Sequence, residues 1–454
     1  MNLKNKLLNK FKSDYKFTFS IIMAVYNTEE YLKETIDSII NQDFDFTRVQ
    51  IILVDDGSED NSKDICLDYA QRYQNNVVYV HQENQGQASA RNNGLKYVEG
   101  EFINFLDSDD KLEPNTLSEI YQHFKKWKSE LDVITIPRYM FGRMQGAMRF
   151  GEKYENSRIV DIHDEYDFPQ VSVSAAFIKS SAVRNEFDTR VIISEDSLFI
   201  NGIILEKCKF GVVGSCRYLY RKRPGEDSTI DTRKIRKDYF STRMELYFKQ
   251  LIRQSIDKHG KVLEYIQNVL VYDLYWLFTQ NTEADVLDAS EKQQYYQDIH
   301  EVLQHIDDDT INAQNFRKSL KYHMLAVKYG KCGYEIRGDN VMLNGKDFDR
   351  LSNYMIFISE IGANMDIYFE FYPVEFSLTA HIDGKVHNLT PYDVNETISL
   401  GQPILNRHHY SITLDGSPRE IYFIRHMNSH DYEVKLKNVS DKQININDNR
   451  IILR

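Results

Sequence analysis

The chain has few cysteines, prolines and glycines for its length. Its 454 residues include 4 cysteines, 8 prolines and 20 glycines, and 42% of them are hydrophobic. The cysteines form no CxxC pair and no zinc spacing, and a secreted disulfide framework would be denser. The low proline and glycine content, with 30 tyrosines and 25 phenylalanines, excludes a disordered or collagenous chain. We therefore expect a globular protein of about three domains in the reducing cytoplasm, without structural zinc.

Positive charge and long apolar runs are also scarce. There are 56 Lys and Arg against 68 Asp and Glu, a net charge of −12, and a field of that sign repels nucleic acid. No stretch approaches the roughly 18 apolar residues of a membrane span, and no apolar signal-peptide core begins the chain. Residues 1–16 do carry five lysines, with apolar residues at helical spacing. Two readings stay open, a peripheral membrane contact and a solvated helix packed on its own domain.

Residues 17–106 alternate between β-branched runs and helical patterns, which is typical of a parallel sheet with crossover helices. The predicted strands are 18–25, 50–54, 77–81 and 102–106, and the predicted helices are 30–41, 62–73 and 87–98. Ligands bind at the carboxyl ends of the strands in such sheets. The residues that follow each strand are therefore the candidates for chemistry.

The rest of the chain predicts two further kinds of structure. Strands at 132–136, 172–178 and 211–220 extend the α/β domain, apolar spacing then predicts helices, and alternating patterns with Asp-Gly turns predict a small β-sandwich. The predicted parts are a basic segment 1–16, a mixed-sheet α/β domain 17–232, a helical linker module 233–331 and an all-β sandwich-like domain 332–454. In the last part, aromatic residues such as Tyr368, Phe371, Tyr372 and Tyr422 leave carbohydrate binding, oligomerisation and a scaffold role open.

Acidic residues follow two of the predicted strands. Asp55 and Asp56 precede a glycine turn, where a carboxylate can accept an N–H from a flat ring such as uracil. Asp107, Asp109 and Asp110 would repel one another unless they shared a cation, and hard divalent cations prefer such oxygen ligands. The alternative in both places is an ordinary solvated turn before a helix.

Four segments together resemble the successive signatures of family 2 glycosyltransferases with a GT-A fold: residues 20–27, 54–58, 86–92 and 107–109. The resemblance spans about residues 17–230. It implies transfer of a sugar from a nucleotide donor, usually a UDP-sugar, to an acceptor hydroxyl with inversion at the anomeric carbon. The resemblance implies that Ala24, Tyr26 and Asp55 line the nucleoside pocket, that Arg91 supports it, and that Asp107 and Asp109 hold Mn²⁺ or Mg²⁺. Ala24 stands where many members have proline.

Two further elements resemble parts of the same family. Asp196 is the candidate base that takes the proton from the attacking hydroxyl, with Glu195 as a supporting carboxylate; both could instead be first-turn acids that complement a helix dipole. The basic run 220–229 resembles the loop that closes over the donor diphosphate, so Arg221, Arg223 and Ser228 are expected to contact the leaving group. A solvated charge run is the alternative.

The predicted order of domains indicates a class of acceptor substrate. A GT-A domain, a helical linker and a β-rich C-terminal domain are similar to wall-teichoic-acid sugar transferases, whose C-terminal domains assemble oligomers. The expected partners are a UDP-sugar and a bacterial glycopolymer acceptor of the teichoic-acid, capsule or exopolysaccharide class, at the inner face of the cell membrane. The competing class is a catalytically silent scaffold or glycan-binding partner. The strand-like run 449–454 leaves open that the sequence is part of a longer polymerase.

Overall fold

The molecule is described from a computed structural model. It covers residues 15–127, 129–223, 235–279, 284–316 and 318–329, followed by the segments 334–337, 340–343, 346–350, 355–360, 364–371, 377–400, 402–413, 420–427, 430–438, 446–447 and 450–451. The chain divides into two compact units. One comprises Met1–Asp298 with His305–Thr310, and the other comprises Ile299–Gln304 with Ile311–Arg454. The four-part division expected from the sequence stays a prediction.

Two sheets are built from the strands of the first unit. These strands are β1 (Phe17–Val25), β2 (Val49–Asp55), β3 (Val77–His81), β4 (Gly100–Phe105), β5 (Lys111–Leu112), β6 (Val133–Thr135), β7 (Arg138–Gly142), β8 (Gly146–Ala147), β9 (Arg158–Asp161), β10 (Ala176–Lys179), β11 (Lys209–Val212) and β12 (Tyr218–Lys222). An eight-stranded sheet has the order β3-β2-β1-β4-β10-β6-β11-β9, and a four-stranded sheet has the order β5-β12-β7-β8. Strands β1 to β4 are parallel, whereas β10 is antiparallel to β4 and β6.

Helices follow the strands as the sequence predicts. They are α1 (Glu29–Ile40), α2 (Ser62–Arg72), α3 (Gln87–Leu95), α4 (Thr116–Trp127), α5 (Glu195–Lys207), α6 (Lys237–Phe240), α7 (Gln250–His259), α8 (Glu264–Thr279), α9 (Ala289–Gln304), α10 (Asp308–Ala313) and α11 (Lys318–Tyr329). A π-helix at Met244–Lys249 precedes α7. Strand β2 is buried along its whole length, as expected of a parallel strand inside an α/β sheet. Within the described part of the chain, no helix is long and apolar enough to cross a bilayer.

The predicted βα alternation is confirmed, with one wrong strand further along. The first four strands lie within two residues of their predicted bounds. The predicted strand 211–220 is instead two strands, β11 and β12, in different sheets. The chain crosses between them where the N–H of Val213 donates to Thr135 and that of Tyr218 to Pro137. Val213 and Cys216, which lie between the two strands, are themselves buried, so apolar residues continue through the crossing.

Close packing of α3 on the sheet yields a testable expectation about Gly94. A Cβ there would lie 2.5 Å from Cγ2 of Ile22 in β1, whereas a Cβ at Gly202 of α5 would meet only the flexible end of Gln254 at 3.4 Å. We expect Gly94→Ala to lower the free energy of unfolding by about 1–3 kcal/mol through overpacking. Gly202→Ala, the matched control, should be neutral or stabilising because alanine favours helix. Urea denaturation of both variants measures this, and equal effects would contradict it.

The second unit is all-β after its helices, as the sequence predicts. Its strands are β13 (Tyr334–Arg337), β14 (Asn340–Leu343), β15 (Lys346–Arg350), β16 (Met355–Glu360), β17 (Asn364–Phe371), β18 (Ser377–Ile382), β19 (Lys385–Leu389), β20 (Asp393–Ser399), β21 (Gln402–Thr413), β22 (Ile421–Met427), β23 (His430–Glu433), β24 (Lys435–Asn438), β25 (Ile446–Asn447) and β26 (Arg450–Ile451). They form sheets of three, five and six strands with mostly antiparallel pairing. Tyr422 stacks on His381 with ring centroids 4.6 Å apart. Tyr372 and the side chains of Tyr368 and Phe371 lie outside the described residues.

Candidate active site

The loops after β1 and β2 are tied together side by side. The N–H of Asn27 donates to Oγ of Ser58 at 3.2 Å, and the N–H of Glu59 donates to Oδ1 of Asn27 at 2.8 Å. Beside this junction the ring of Tyr26 is 46% exposed and Ala24 is half-buried. The two loops therefore form a fixed edge with an accessible aromatic face.

Asp55 lies at the floor of this edge and is fully buried. Its carboxylate accepts hydrogen bonds from the N–H of Ser58 at 2.9 Å and the hydroxyl of Tyr79 at 2.9 Å, and Nδ1 of His81 lies 3.1 Å away. Burial opposes ionisation, but these hydrogen bonds lower the pKa of Asp55 below its ordinary value. The side chain is thus held as a carboxylate in one orientation.

Asp56 organises the next loop, a role that the sequence reading did not assign. Its carboxylate accepts hydrogen bonds from Nε2 of Gln82 and from the N–H groups of Gln85 and Gly86, at 2.7 to 2.9 Å. Residues 82–86 lead directly into α3, which carries Arg91. Successive side chains of a strand point to opposite sides, so the adjacent aspartates at the end of β2 indicate that Asp55 and Asp56 have different neighbours.

Arg91 joins three carboxylates from distant parts of the chain. Its guanidinium is 3% exposed and donates to Oδ1 of Asp107 at 3.1 Å, to Oε1 of Glu195 at 3.1 Å and to Oδ1 of Asp196 at 2.5 Å. It also lies over the ring of Phe187, 5.4 Å from the centroid. The structure thus gives Arg91 carboxylate partners, and its expected support of the nucleoside pocket stays a prediction.

The electrostatics of this cluster follow from its burial. Burial, and then the charge of Asp196, raises the pKa of Glu195 to about 8, whereas the charge of Arg91 opposes this shift. Burial also raises the pKa of Asp107 and outweighs the lowering effect of Arg91. Burial disfavours the Arg91 cation, but the surrounding carboxylates raise its pKa above its ordinary value. One permanent cation therefore holds the cluster together.

A second cluster surrounds the end of the 107–110 run. Asp110 is buried and accepts from the hydroxyl of Tyr218 at 2.7 Å and from the N–H of Arg221 at 2.6 Å. Burial, with the charges of Asp109 and Asp107, raises its pKa well above its ordinary value. Asp110 therefore anchors β12 beneath the site. Both of its carboxyl oxygens already accept hydrogen bonds, so Asp107 and Asp109 remain the candidate metal ligands.

The two arginines after Tyr220 reach this cluster. Nε of Arg221 donates to the backbone carbonyl of Asp109 at 2.7 Å, and Nε of Arg223 donates to Oδ2 of Asp109 at 2.8 Å. Arg221 also pairs with Glu34 of α1, a residue that sequence reasoning missed. Ser228, the third expected diphosphate contact, lies outside the described residues.

Comparison with known proteins identifies the chain at this point. The model of glycosyl transferase family 2 matches residues 20–184. The minor teichoic acid biosynthesis protein GgaA of Bacillus subtilis is 31% identical over 319 residues, which cover 68% of this chain and 71% of GgaA. The chain belongs to family 2 of the glycosyl transferases.

A second relative and a solved structure extend the likeness. The minor teichoic acid biosynthesis protein GgaB of Bacillus subtilis is 35% identical over 365 residues, 78% of this chain, and the chain spans about two fifths of its length, 41%. The crystal structure of S. aureus TarS 1-349 in complex with UDP-GlcNAc superposes with a TM-score of 0.56 at 20% identity, over 73% of this chain and 97% of that one. This likeness confirms the GT-A fold of the family 2 domain.

Two aspartates of this family 2 domain could form part of the coordination shell of a divalent cation. Asp107 and Asp109 offer hard oxygen ligands at the carboxyl end of β4, and their side chains are 25% and 20% exposed. Among the described residues, no three His, Cys, Asp or Glu side chains are arranged as a complete metal site. Mg²⁺ commonly takes only one or two carboxylates from the protein and the rest from water and phosphates. The donor set therefore suits a metal that arrives with a diphosphate.

Proposed function

We propose that the chain is an inverting, metal-dependent glycosyltransferase that moves a sugar from a UDP-sugar to a hydroxyl of a bacterial cell-surface glycopolymer. The observation that carries the proposal is the contact of Arg91 with both Asp107 and Asp196. The guanidinium of Arg91 thus lies between the candidate metal ligand Asp107 and the candidate base Asp196 and contacts both. A donor whose diphosphate bound at Asp107 would lie close to an acceptor hydroxyl at Asp196, as a direct displacement requires.

The roles of the residues follow from this arrangement. Asp196 accepts the proton of the attacking hydroxyl, while Arg91 and the N–H of Val173, 3.3 Å from Oδ2, fix its orientation. Burial raises the pKa of Glu195 to about 8, which limits the negative charge that it places beside Asp196. Asp107 and Asp109 would hold a divalent cation, which would neutralise charge on the diphosphate.

The leaving group and the nucleoside have their own candidates. Arg221 and Arg223 stabilise the charge that grows on the departing diphosphate, and each exchanges its present contact with Asp109 for a phosphate oxygen. Asp55 is the proposed acceptor for the ring N–H of uracil; because its side chain is fully buried, this requires one of its present hydrogen bonds to be exchanged. Tyr26 offers its exposed face to the base, and Ala24 lines the same edge.

The substrates are proposed from the relatives. GgaA and GgaB are named as minor teichoic acid biosynthesis proteins, so a teichoic-acid hydroxyl is the proposed acceptor, with capsule or exopolysaccharide as the alternative. TarS was solved with UDP-GlcNAc, so UDP-GlcNAc or another UDP-hexose is the proposed donor. Peripheral membrane contact through residues 1–16, a cytoplasmic location and self-association through the second unit stay predictions.

Release of UDP by the purified protein tests the proposal. We expect one of UDP-GlcNAc, UDP-glucose, UDP-GalNAc and UDP-galactose to be turned over with Mn²⁺ and a teichoic-acid acceptor, and EDTA to abolish turnover. Asp109→Ala should lower the rate by at least about 10²-fold because the cation loses a ligand. Asp64→Ala, which removes an exposed carboxylate of α2, should keep the full rate. UDP binding without turnover of any donor would instead favour the silent scaffold.

A further inference from the structure

The residue before Glu195 and Asp196 has an unusual backbone conformation. Ser194 has φ +77° and ψ 13°, the left-handed region that side chains other than glycine rarely adopt. It is the residue from which α5 begins, and Glu195 and Asp196 follow directly. A non-glycine residue in this conformation costs about 1 kcal/mol or more. Interactions elsewhere must therefore hold the chain in this turn.

Arg243 supplies such an interaction. Its Nε and Nη2 atoms both donate to Oγ of Ser194, at 3.1 and 2.8 Å. The guanidinium is 4% exposed, and its charge is balanced by Oδ1 of Asp273 in α8 at 2.8 Å. The arginine lies between α6 and the π-helix, in the helical stretch that follows the family 2 domain.

The network of Arg243 and Asp273 also contacts α5 at a residue that follows Asp196 in sequence. The hydroxyl of Tyr247, in the π-helix, lies 2.9 Å from Oγ of Ser197 and donates to Asp273. Ser194 and Ser197 bracket the two candidate catalytic carboxylates in sequence. One buried network thus fixes the turn before Asp196 and the helical turn after it.

We propose that Arg243 is a positioning residue for sugar transfer, which rests on the proposed function. Its two hydrogen bonds to Oγ of Ser194 stabilise the left-handed backbone conformation. This conformation orients Asp196 towards the acceptor hydroxyl. Arg243 acts from the helical stretch, without touching the reacting atoms. Donor binding is expected to change little, because the hydrogen bonds of Arg243 go to Ser194 and Asp273 and not to Asp55, Asp107 or Asp109. Loss of the hydrogen bonds between Arg243 and Ser194 lowers kcat and leaves the KM for the UDP-sugar unchanged.

A matched pair of substitutions at Ser194 tests this role without disturbing the buried ion pair. Ser194→Gly and Ser194→Ala both remove the hydroxyl, but only glycine adopts the left-handed turn without strain. We expect kcat of the alanine variant to fall about tenfold to a hundredfold below that of the glycine variant. The KM for the UDP-sugar and the affinity for UDP, measured by calorimetry with Mn²⁺, should agree within about twofold.

A rescue experiment addresses Arg243 itself. Arg243→Gln is combined with Asp273→Asn so that no buried charge is left unpaired, and kcat should fall at least about tenfold. Adding Ser194→Gly should restore part of the loss, which a general packing defect would not allow. An active wild type with equal kcat for the two Ser194 variants would overturn the positioning role alone. A wild type that binds UDP and transfers no sugar would overturn the proposed function and this role with it.

Discussion

Asp196→Asn should reduce kcat by about 10²- to 10⁴-fold while the protein still binds UDP. General-base catalysis contributes a factor of this size, and an amide cannot accept the proton of the attacking hydroxyl. The change preserves shape, and the Oδ1 atom of asparagine can still accept the hydrogen bond that Arg91 donates at 2.5 Å; the hydrogen bond lost is the 3.3 Å contact from the N–H of Val173 to Oδ2. The loss should therefore appear in the rate of transfer and spare the fold. Initial rates at saturating UDP-sugar, with a calorimetric Kd for UDP, measure both.

The control for this variant is the same substitution at a surface carboxylate. Asp68 pairs with Arg72 on the exposed face of α2, with side chains 58% and 49% exposed, and such pairs contribute little. Asp68→Asn should leave kcat within about twofold of wild type. If Asp196→Asn also stayed within twofold, Asp196 would not be the base. A fall in UDP affinity equal to the fall in kcat would assign it to donor binding.

The sequence predicts the parallel half of the fold well because the signal there is local. Strands β1 and β2 are short apolar runs followed by polar turns and amphipathic helices, and each boundary falls within two residues of its prediction. The strand-end carboxylates are recognisable for the same reason, since the topology brings the ends of parallel strands to one edge. Asp55, Asp107 and Asp109 could therefore be proposed from their positions alone.

The contacts that join these pieces could not be predicted. Arg91 and Glu195 are 104 residues apart in sequence, and no periodicity links an arginine inside one helix to the first turn of another. The hydrogen bond from Tyr218 to Asp110 likewise joins residues 108 apart in sequence. Ser194 and Arg243 are ordinary residues in the sequence, and only the backbone angle and the contact between them reveal the network.

Arg91→Met should be the most destabilising single change at the site. Breaking a buried ion pair by removing one partner costs about 3 to 5 kcal/mol, and here three acidic side chains lose the guanidinium that contacts all of them. Part of the loss is relieved when the carboxyls take up protons. Chemical denaturation with EDTA present should therefore show a lower free energy of unfolding than wild type, and sugar transfer should fall with it.

The dependence of this loss on pH distinguishes lost charge from lost packing. The pKa of Glu195 is raised from 4.5 to about 8, so its contribution to stability is complete at low pH and is lost as the pH rises towards 8. Arg91 lowers the pKa values of Glu195 and Asp107, so without it this decline steepens. The stability difference between wild type and Arg91→Met should thus widen from pH 5 to pH 8. Arg91→Lys keeps the positive charge but lacks the planar guanidinium. Its free energy of unfolding should therefore fall less below that of wild type, and this difference should change less with pH. A deficit of Arg91→Met that stayed constant over this range would mean that the side chain acts by filling space, and that the carboxylates of the site are held apart by other means.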